Sequence, residues 1–348
     1  MNPMLALFIY FMLTMGTIMV LLSSHWLLVW MGFEMNLMAM IPIMTHKQNI
    51  RSTESAIKYF LIQTTASIIL MMSVSINFML TGQWTMMYIN NNMLSTIITI
   101  SMLMKLGTAP FHLWLPEVAQ GLNLNSSMIL LTWQKIAPLS ILYTMYPSLN
   151  YFIMFTSAIL SIMLGGWGGL NQTQLRKIMA FSSIAHMGWM MAIMCYNPNI
   201  MFFNLFIYMI ITITMFMIFK LNTTTNISNL STVCNKSPTM ALLIALILMS
   251  LGGLPPLSGF LPKWLVVQEL VKNNNTIMAL IMLMLSLINL FFYMRLIYST
   301  SLTMFPSMNN MKLHWLYPKT NNYSSIMVIL SIMSIFMLPL MPLFMNFY

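Results

Sequence analysis

Lys105, Lys135 and Lys263 each lie inside a stretch that otherwise reads as membrane-buried. A lysine at the centre of a membrane helix costs roughly 2.5–3.5 kcal/mol on insertion scales, so three amount to about 8–10 kcal/mol that neutral residues would avoid. Ionisable residues at that depth mark ion or proton pathways by default. The competing account is that each lysine snorkels to a headgroup or pairs with Glu34 as structural glue. Glu34 is mid-span in Trp30-Met31-Gly32-Phe33-Glu34-Met35-Asn36, while His112 and His186 lie in or beside other apolar runs. Removal from water disfavours an ammonium and a nearby carboxylate favours it, so moving Glu34 relative to Lys105 changes that lysine's proton affinity. Histidine titrates near neutrality and can relay between such groups, and Gln63, Thr108, Gln134, Ser182 and Ser183 can hold linking waters. This is the inventory of a lateral proton wire with few negative charges. The competing reading of His112 and His186 is as satisfied structural histidines.

The elements that must position these groups are membrane helices. The chain is 59% hydrophobic and 5% charged, against about 25% charged in soluble domains, and its mean hydropathy is +0.83. It has no Asp and four Glu (Glu34, Glu54, Glu117, Glu269). Apolar runs of about 20 residues, the length a span needs, fall near 3–22, 25–44, 57–80, 93–116, 123–147, 149–171, 175–194, 199–219, 238–271, 275–298 and 324–345. The expected fold is therefore all-α and polytopic, with about eleven transmembrane helices. Lys47, Arg51, Lys58, Arg176, Lys177, Lys220, Lys236, Arg295, Lys312 and Lys319 flank connections after even-numbered spans, and only Lys272 follows an odd one. The positive-inside rule then puts the N-terminus on the synthesising side and the C-terminus opposite.

Two spans carry helix breakers. The fourth reads Leu106-Gly107-Thr108-Ala109-Pro110 and then Leu115-Pro116; the ninth reads Leu251-Gly252-Gly253-Leu254-Pro255-Pro256 and then Leu261-Pro262. Proline removes a backbone donor and glycine loosens the helix. Interrupted segments at corresponding positions of two halves point to a transport site. The pattern divides the chain into a first five-helix repeat at 1–147 and a second at 149–298. A polar connection at 299–323 and a C-terminal helix within 324–348 complete it. Each repeat has a broken fourth helix, and because five is odd the second repeat is inverted.

Several chemistries lack their residues. The net charge of +10 is scattered with no basic patch and interleaved aromatics, which argues against nucleic acid. Cys195 and Cys234 make no CxxC, and the predicted topology puts them on opposite membrane sides. Two separated cysteines cannot hold an iron–sulfur cluster, no metal site is expected, and only His112 and His186 are candidates for a bis-histidine haem. No GxGxxG or P-loop supports nucleotide binding by this chain. Glu117 and Glu269 read as interfacial. The 45 Met fit adaptable packing, and better still an animal mitochondrial code that reads an extra Ile codon as Met. With no Arg-rich transit peptide, synthesis inside the organelle is expected.

The motifs Trp30–Asn36, Lys105-Leu106-Gly107-Thr108-Ala109-Pro110-Phe111-His112, Gly252-Gly253-Leu254-Pro255-Pro256 and Gly259-Phe260-Leu261-Pro262-Lys263 resemble those of the antiporter-like membrane subunits of respiratory complex I, NADH:ubiquinone oxidoreductase. The likeness runs the whole length of the chain. It implies a proton-translocating module of the mitochondrial inner membrane, N-terminus to the matrix and C-terminus to the intermembrane space, without a redox centre of its own. NADH, FMN, iron–sulfur clusters and ubiquinone would belong to partner subunits. The implied partners are other core membrane-arm subunits, including neighbouring antiporter-like ones, accessory subunits, and phospholipids such as cardiolipin. In the family pattern Glu34 pairs with Lys105, Lys135 links to the centre, Lys263 lies towards the exit, and His112 and His186 connect them. Most such relatives have fourteen helices, and this chain is expected to lack three at its start, outside the two repeats. A stand-alone cation/proton antiporter and a structural assembly subunit remain as alternatives. A quinone-site subunit is disfavoured by the scarcity of a paired Tyr/His pocket.

Overall fold

In a computed structural model the described residues are 3–47, 49–86, 89, 91–236, 238–301 and 325–338, the side chains of 232–239 and 325 excepted. The Cys234 side chain, Lys312, Lys319 and most of the expected connection at 299–323 lie outside that set, as do both ends of the last expected span. The chain runs through helices α1 (Pro3–Leu22), α2 (Trp26–Met44), α3 (Ile50–Thr81), α4 (Asn92–Leu106), α5 (Trp114–Gly121), α6 (Leu124–Leu131), α7 (Ile136–Thr144) and α8 (Tyr151–Gly169). It continues through α9 (Leu175–Met194), α10 (Pro198–Leu221), α11 (Ile227–Lys236), α12 (Pro238–Gly252), α13 (Phe260–Lys272), α14 (Thr276–Ser301) and α15 (Ser325–Phe336). Among the described residues there is no strand, only isolated bridges between His25 and Thr85 and between Gln174 and Asn226.

Six of these helices, α1, α2, α3, α8, α10 and α14, are long and apolar enough to cross a membrane. Large apolar side chains such as Leu7, Phe8, Met79 and Phe291 face outwards, which suits a lipid solvent. Buried hydroxyls are satisfied within their own helices: Ser67, Ser73, Ser101, Ser157, Ser182 and Ser250 each donate to the carbonyl three residues back. That is how these serines sit in apolar helices without an unpaired hydroxyl. Small residues let backbones approach closely. A Cβ on Gly16 would come 3.0 Å from the Gly32 carbonyl, joining α1 to α2, and one on Gly165 would come 2.9 Å from the Ala185 backbone, joining α8 to α9. The central helix is α9, buried along nearly its whole length.

Both expected breaks are present and share one local chemistry. α4 ends at Gly107 (φ +68°) and α12 ends before Gly253 (φ +78°), both left-handed. The Gly107 N–H bonds the Met104 carbonyl and the Thr108 N–H bonds Leu103; likewise Gly253 bonds Ser250 and Leu254 bonds Met249. This is the double hydrogen bond of a Schellman terminus, whose left-handed residue is easiest for glycine. The prolines that follow forbid resumption of the same helix.

The structure departs from the expected spans in three places. The run at 123–147 is not one helix: α6 stops at Leu131, a 3-10 turn covers Trp133–Lys135, and α7 follows. Pro138, in the first turn of α7, has no N–H for the helical bond to the residue four back, and Lys135 N–H bonds Thr132 instead of Leu131. α3 is 32 residues long, roughly 48 Å, which exceeds an apolar core of about 30 Å. Its first turns carry exposed Glu54 and Lys58, and Lys58 Nζ meets Glu54 at 2.8 Å and Glu117 at 3.0 Å, tying α3 to α5. Finally, α11 is an additional short helix between the expected spans at 199–219 and 238–271.

Candidate functional site

Each of the three lysines sits at a helix break. Lys105 is in the last turn of α4 and 7% exposed, with Nζ 4.2 Å from the centre of the Phe33 ring. The ring face attracts the cation, and the carbonyl end of α4 favours positive charge there. Gln63 Nε2 donates to the Lys105 carbonyl at 3.3 Å, fixing the backbone.

Lys135 lies in the 3-10 turn and is 3% exposed. Its Nζ donates to Tyr208 Oη at 3.1 Å and to the Ser183 carbonyl at 3.4 Å. Tyr208 Oη in turn donates to the Leu131 carbonyl at 2.9 Å, the acceptor that the interrupted helix leaves without its usual partner. A buried carbonyl must be satisfied by something, and here α10 supplies the hydroxyl. Lys263, partly buried at the start of α13, meets the same need at the second break: its Nζ donates to the Gly252 carbonyl at 2.8 Å. Gly253 makes that approach possible, since a Cβ there would lie 2.9 Å from Lys263 Nζ.

Between Lys105 and Lys135 is a cavity of about 20 Å³, bordered by Phe33, Asn36, Gln63 and Gln134. That is room for about one water. Gln134 Nε2 and both amide atoms of Asn36 have no protein partner, so the cavity is polar enough to hold it. On the far side, His186 of α9 stacks at a tilt on Tyr208, ring centres 5.4 Å apart. His186, Lys263, Asn289 and Tyr293 border a second pocket with no room for a water. The polar groups therefore run in file: Lys105, a small cavity, Lys135, Tyr208, His186 and Lys263.

Two expected members stand apart. No ion pair joins Glu34 to Lys105; among the described residues the ion pairs are those of Lys58 with Glu54 and Glu117 and of Lys272 with Glu269. Consecutive helix residues point about 100° apart, so with Phe33 over Lys105, Glu34 is turned into a groove on the outside of α2 and α3, beside Trp30, Thr64 and Ser67. Its charge still acts electrostatically on Lys105. His112 is buried, 8% exposed, but its Nδ1 lies 3.2 Å from the Pro110 carbonyl and it borders neither pocket. Ser182 and Ser183 spend their hydroxyl protons on their own helix, as does Thr108 on Leu103, so these can only accept from a water. The residues that sequence reasoning passed over are Tyr208, Asn36, Asn289 and Tyr293. Among the described residues no group of three His, Cys, Asp or Glu is placed to hold a metal ion, and Cys195 is a buried free thiol.

Comparison with known proteins gives a consistent result. Residues 23–289 match the family described as NADH:quinone oxidoreductase/Mrp antiporter, TM, and residues 290–345 match NADH dehydrogenase subunit 2 C-terminus. The chain is 56% identical over 344 residues to NADH-ubiquinone oxidoreductase chain 2 of Suncus etruscus, covering 99% of each. In fold it is similar to a chain of respiratory complex I from Thermus thermophilus (TM-score 0.80, 21% identity, 92% of this chain and 76% of that one). It is also similar to a chain of an archaeal membrane-bound sulfane sulfur reductase (TM-score 0.85, 15% identity, 97% and 73%).

Proposed function

This chain belongs to the NADH:quinone oxidoreductase/Mrp antiporter membrane family, and from that premise we propose that its lysine file is a proton path. The chain is an antiporter-like, multi-pass membrane subunit of respiratory complex I, a proton-translocating NADH:ubiquinone oxidoreductase. Its place is the mitochondrial inner membrane, with the N-terminus in the matrix and the C-terminus in the intermembrane space. Beyond the six unbroken spans, the broken pairs α4–α5, α6–α7 and α12–α13, together with α9 and α15, complete eleven crossings. The two five-helix repeats, 1–147 and 149–298, are inverted copies, and the matched Schellman termini at Gly107 and Gly253 support that reading. Electron transfer from NADH through FMN and iron–sulfur clusters to ubiquinone takes place in partner subunits. Neighbouring membrane-arm subunits, accessory subunits and phospholipids such as cardiolipin surround the chain.

The observation that carries the proton path is the continuity of the file at the depth of the breaks, with Tyr208 joining Lys135 to His186. Glu34 is the control point. When a charge rearrangement in the neighbouring subunit draws Glu34 towards Lys105, the ammonium form is favoured and a proton is held there. When Glu34 swings back to its outer groove, the proton passes through the small cavity to Lys135. Tyr208 and His186 carry it on to Lys263, and the tight pocket at His186 keeps that half closed until it hydrates. Holding one half hydrated and the other dry prevents a leak. His112, off the file, is a packing residue of the first break.

Subunit membership is tested by a native gel of the source membranes stained for NADH oxidation, with peptides identified from the active band. The chain is expected only in a large NADH-oxidising band. Migration as a small particle away from that activity would overturn the assignment in favour of a stand-alone antiporter.

A further inference from the structure

A second feature, remote from the file, lies where the ends of α1, α2, α6, α9 and α10 meet. A cavity of about 550 Å³ is bordered there by His46, Lys47, Arg176 and Lys220. The rest of its lining includes apolar side chains, Ala6 and Ile9 of α1, Ile43 of α2 and Leu124 of α6. No carboxylate borders it, and the chain has few to offer: Glu54, Glu117 and Glu269 are engaged with Lys58 and Lys272, and Glu34 is in its groove elsewhere. Arg51 is near enough for its charge to act on Arg176. Arg176 Nε has no hydrogen-bond partner, and neither do Thr224 Oγ1 and Asn222 Nδ2 in the neighbouring turn. A concentration of like charge with orphaned donors calls for an anion from outside the chain. The first turn of α6, at Leu124, Asn125 and Ser126, also borders the cavity, and the start of a helix favours negative charge.

We propose that this cavity binds an anionic phospholipid, its phosphate between Lys47, Arg176 and Lys220 and one acyl chain along α1. The apolar lining is what selects a lipid over a free phosphate. Beside Ala6 and Ile9, α1 exposes Leu5, Phe8 and Tyr10, an apolar surface that an acyl chain can cover. Every basic side chain here belongs to the loops that the charge bias assigns to one membrane face, and basic pockets between membrane helices on the matrix or cytoplasmic side suit anionic headgroups. The proposal rests on the membrane reading of the fold and is independent of the proton path.

The test uses the intact purified complex in phosphatidylcholine vesicles carrying a small share of phosphatidylglycerol with a photoreactive group on its acyl chain, followed by peptide mapping. Labelling is expected to concentrate in α1 and α6 and to fall about fivefold for each charge removed by Arg176→Gln or Lys220→Gln. It should survive Arg176→Lys and Lys220→Arg, which separates loss of charge from loss of fold. Excess inorganic phosphate should leave it unchanged. Labelling spread evenly over all outward-facing helices, or indifferent to the glutamine variants, would overturn the proposal. Displacement by inorganic phosphate would overturn the lipid in favour of a solution anion.

Discussion

At the scale of single residues, the site turns on unsatisfied carbonyls. Interrupting a helix frees acceptors, and the chain meets them with the donors that also form the file: Tyr208 on Leu131 and Lys263 on Gly252. Tyr208→Phe keeps the ring over Lys135 but removes the hydroxyl that receives its proton and satisfies Leu131. A hydrogen bond to a charged group contributes about 1.5–3 kcal/mol, so proton transfer by an assembled complex should slow by about tenfold or more, as read by dye-reported acidification of reconstituted vesicles. An unchanged rate would remove Tyr208 from the path. His112→Gln should leave that rate alone, because His112 borders neither pocket. Much of this was legible in the chain, since a lysine within an apolar run is conspicuous in any sequence. Tyr208 was not. It sits among isoleucines and methionines like any core aromatic, and its partner Lys135 lies 73 positions away in sequence. That Phe33 rather than Glu34 faces Lys105 was hidden for a related reason, because helix phase is not visible in the motif.

At the scale of elements, the two breaks were readable because each gathers glycine and proline within a few residues, in the same order, and their chemistry is local. Gly107 and Gly253 are each held left-handed by the same pair of terminal hydrogen bonds. The third interruption went unseen, because Pro138 alone does not say whether a helix kinks or stops. The answer depended on Tyr208 being there to take the Leu131 carbonyl. Gly82 and Gly253 make a controlled comparison, since both are left-handed but only Gly253 is crowded. An alanine at either pays the left-handed penalty of about 1–2 kcal/mol. Gly253→Ala must in addition push Lys263 off the Gly252 carbonyl. Thermal inactivation of the purified complex should therefore show a small loss for Gly82→Ala and a distinctly larger one for Gly253→Ala, together with slower pumping. Equal losses would mean that the Lys263 contact contributes nothing.

At the scale of the whole molecule, the positive-inside rule predicts that the sparse charges are arranged with sidedness. The basic connections are expected at one face, and the Lys272–Glu269 pair, at the turn between α13 and α14, at the other. A membrane-impermeant amine reagent should modify Lys272 from the intermembrane side of intact inner membrane and Lys220 only after inversion; the reverse pattern would invert the topology. That arrangement is what composition and charge bias predict, and the labelling is its test. The order of groups across the interior was not readable, because it depends on how α4, α6, α9, α10 and α13 pack together. The most direct test of the account is the number of protons moved per NADH oxidised by a complex carrying Lys135→Met, with assembly verified on a native gel and Lys272→Met as the surface control. A lower ratio in the fully assembled Lys135→Met complex, with the control at the wild-type value, is the predicted result. A wild-type ratio in the assembled Lys135→Met complex would contradict the proton path.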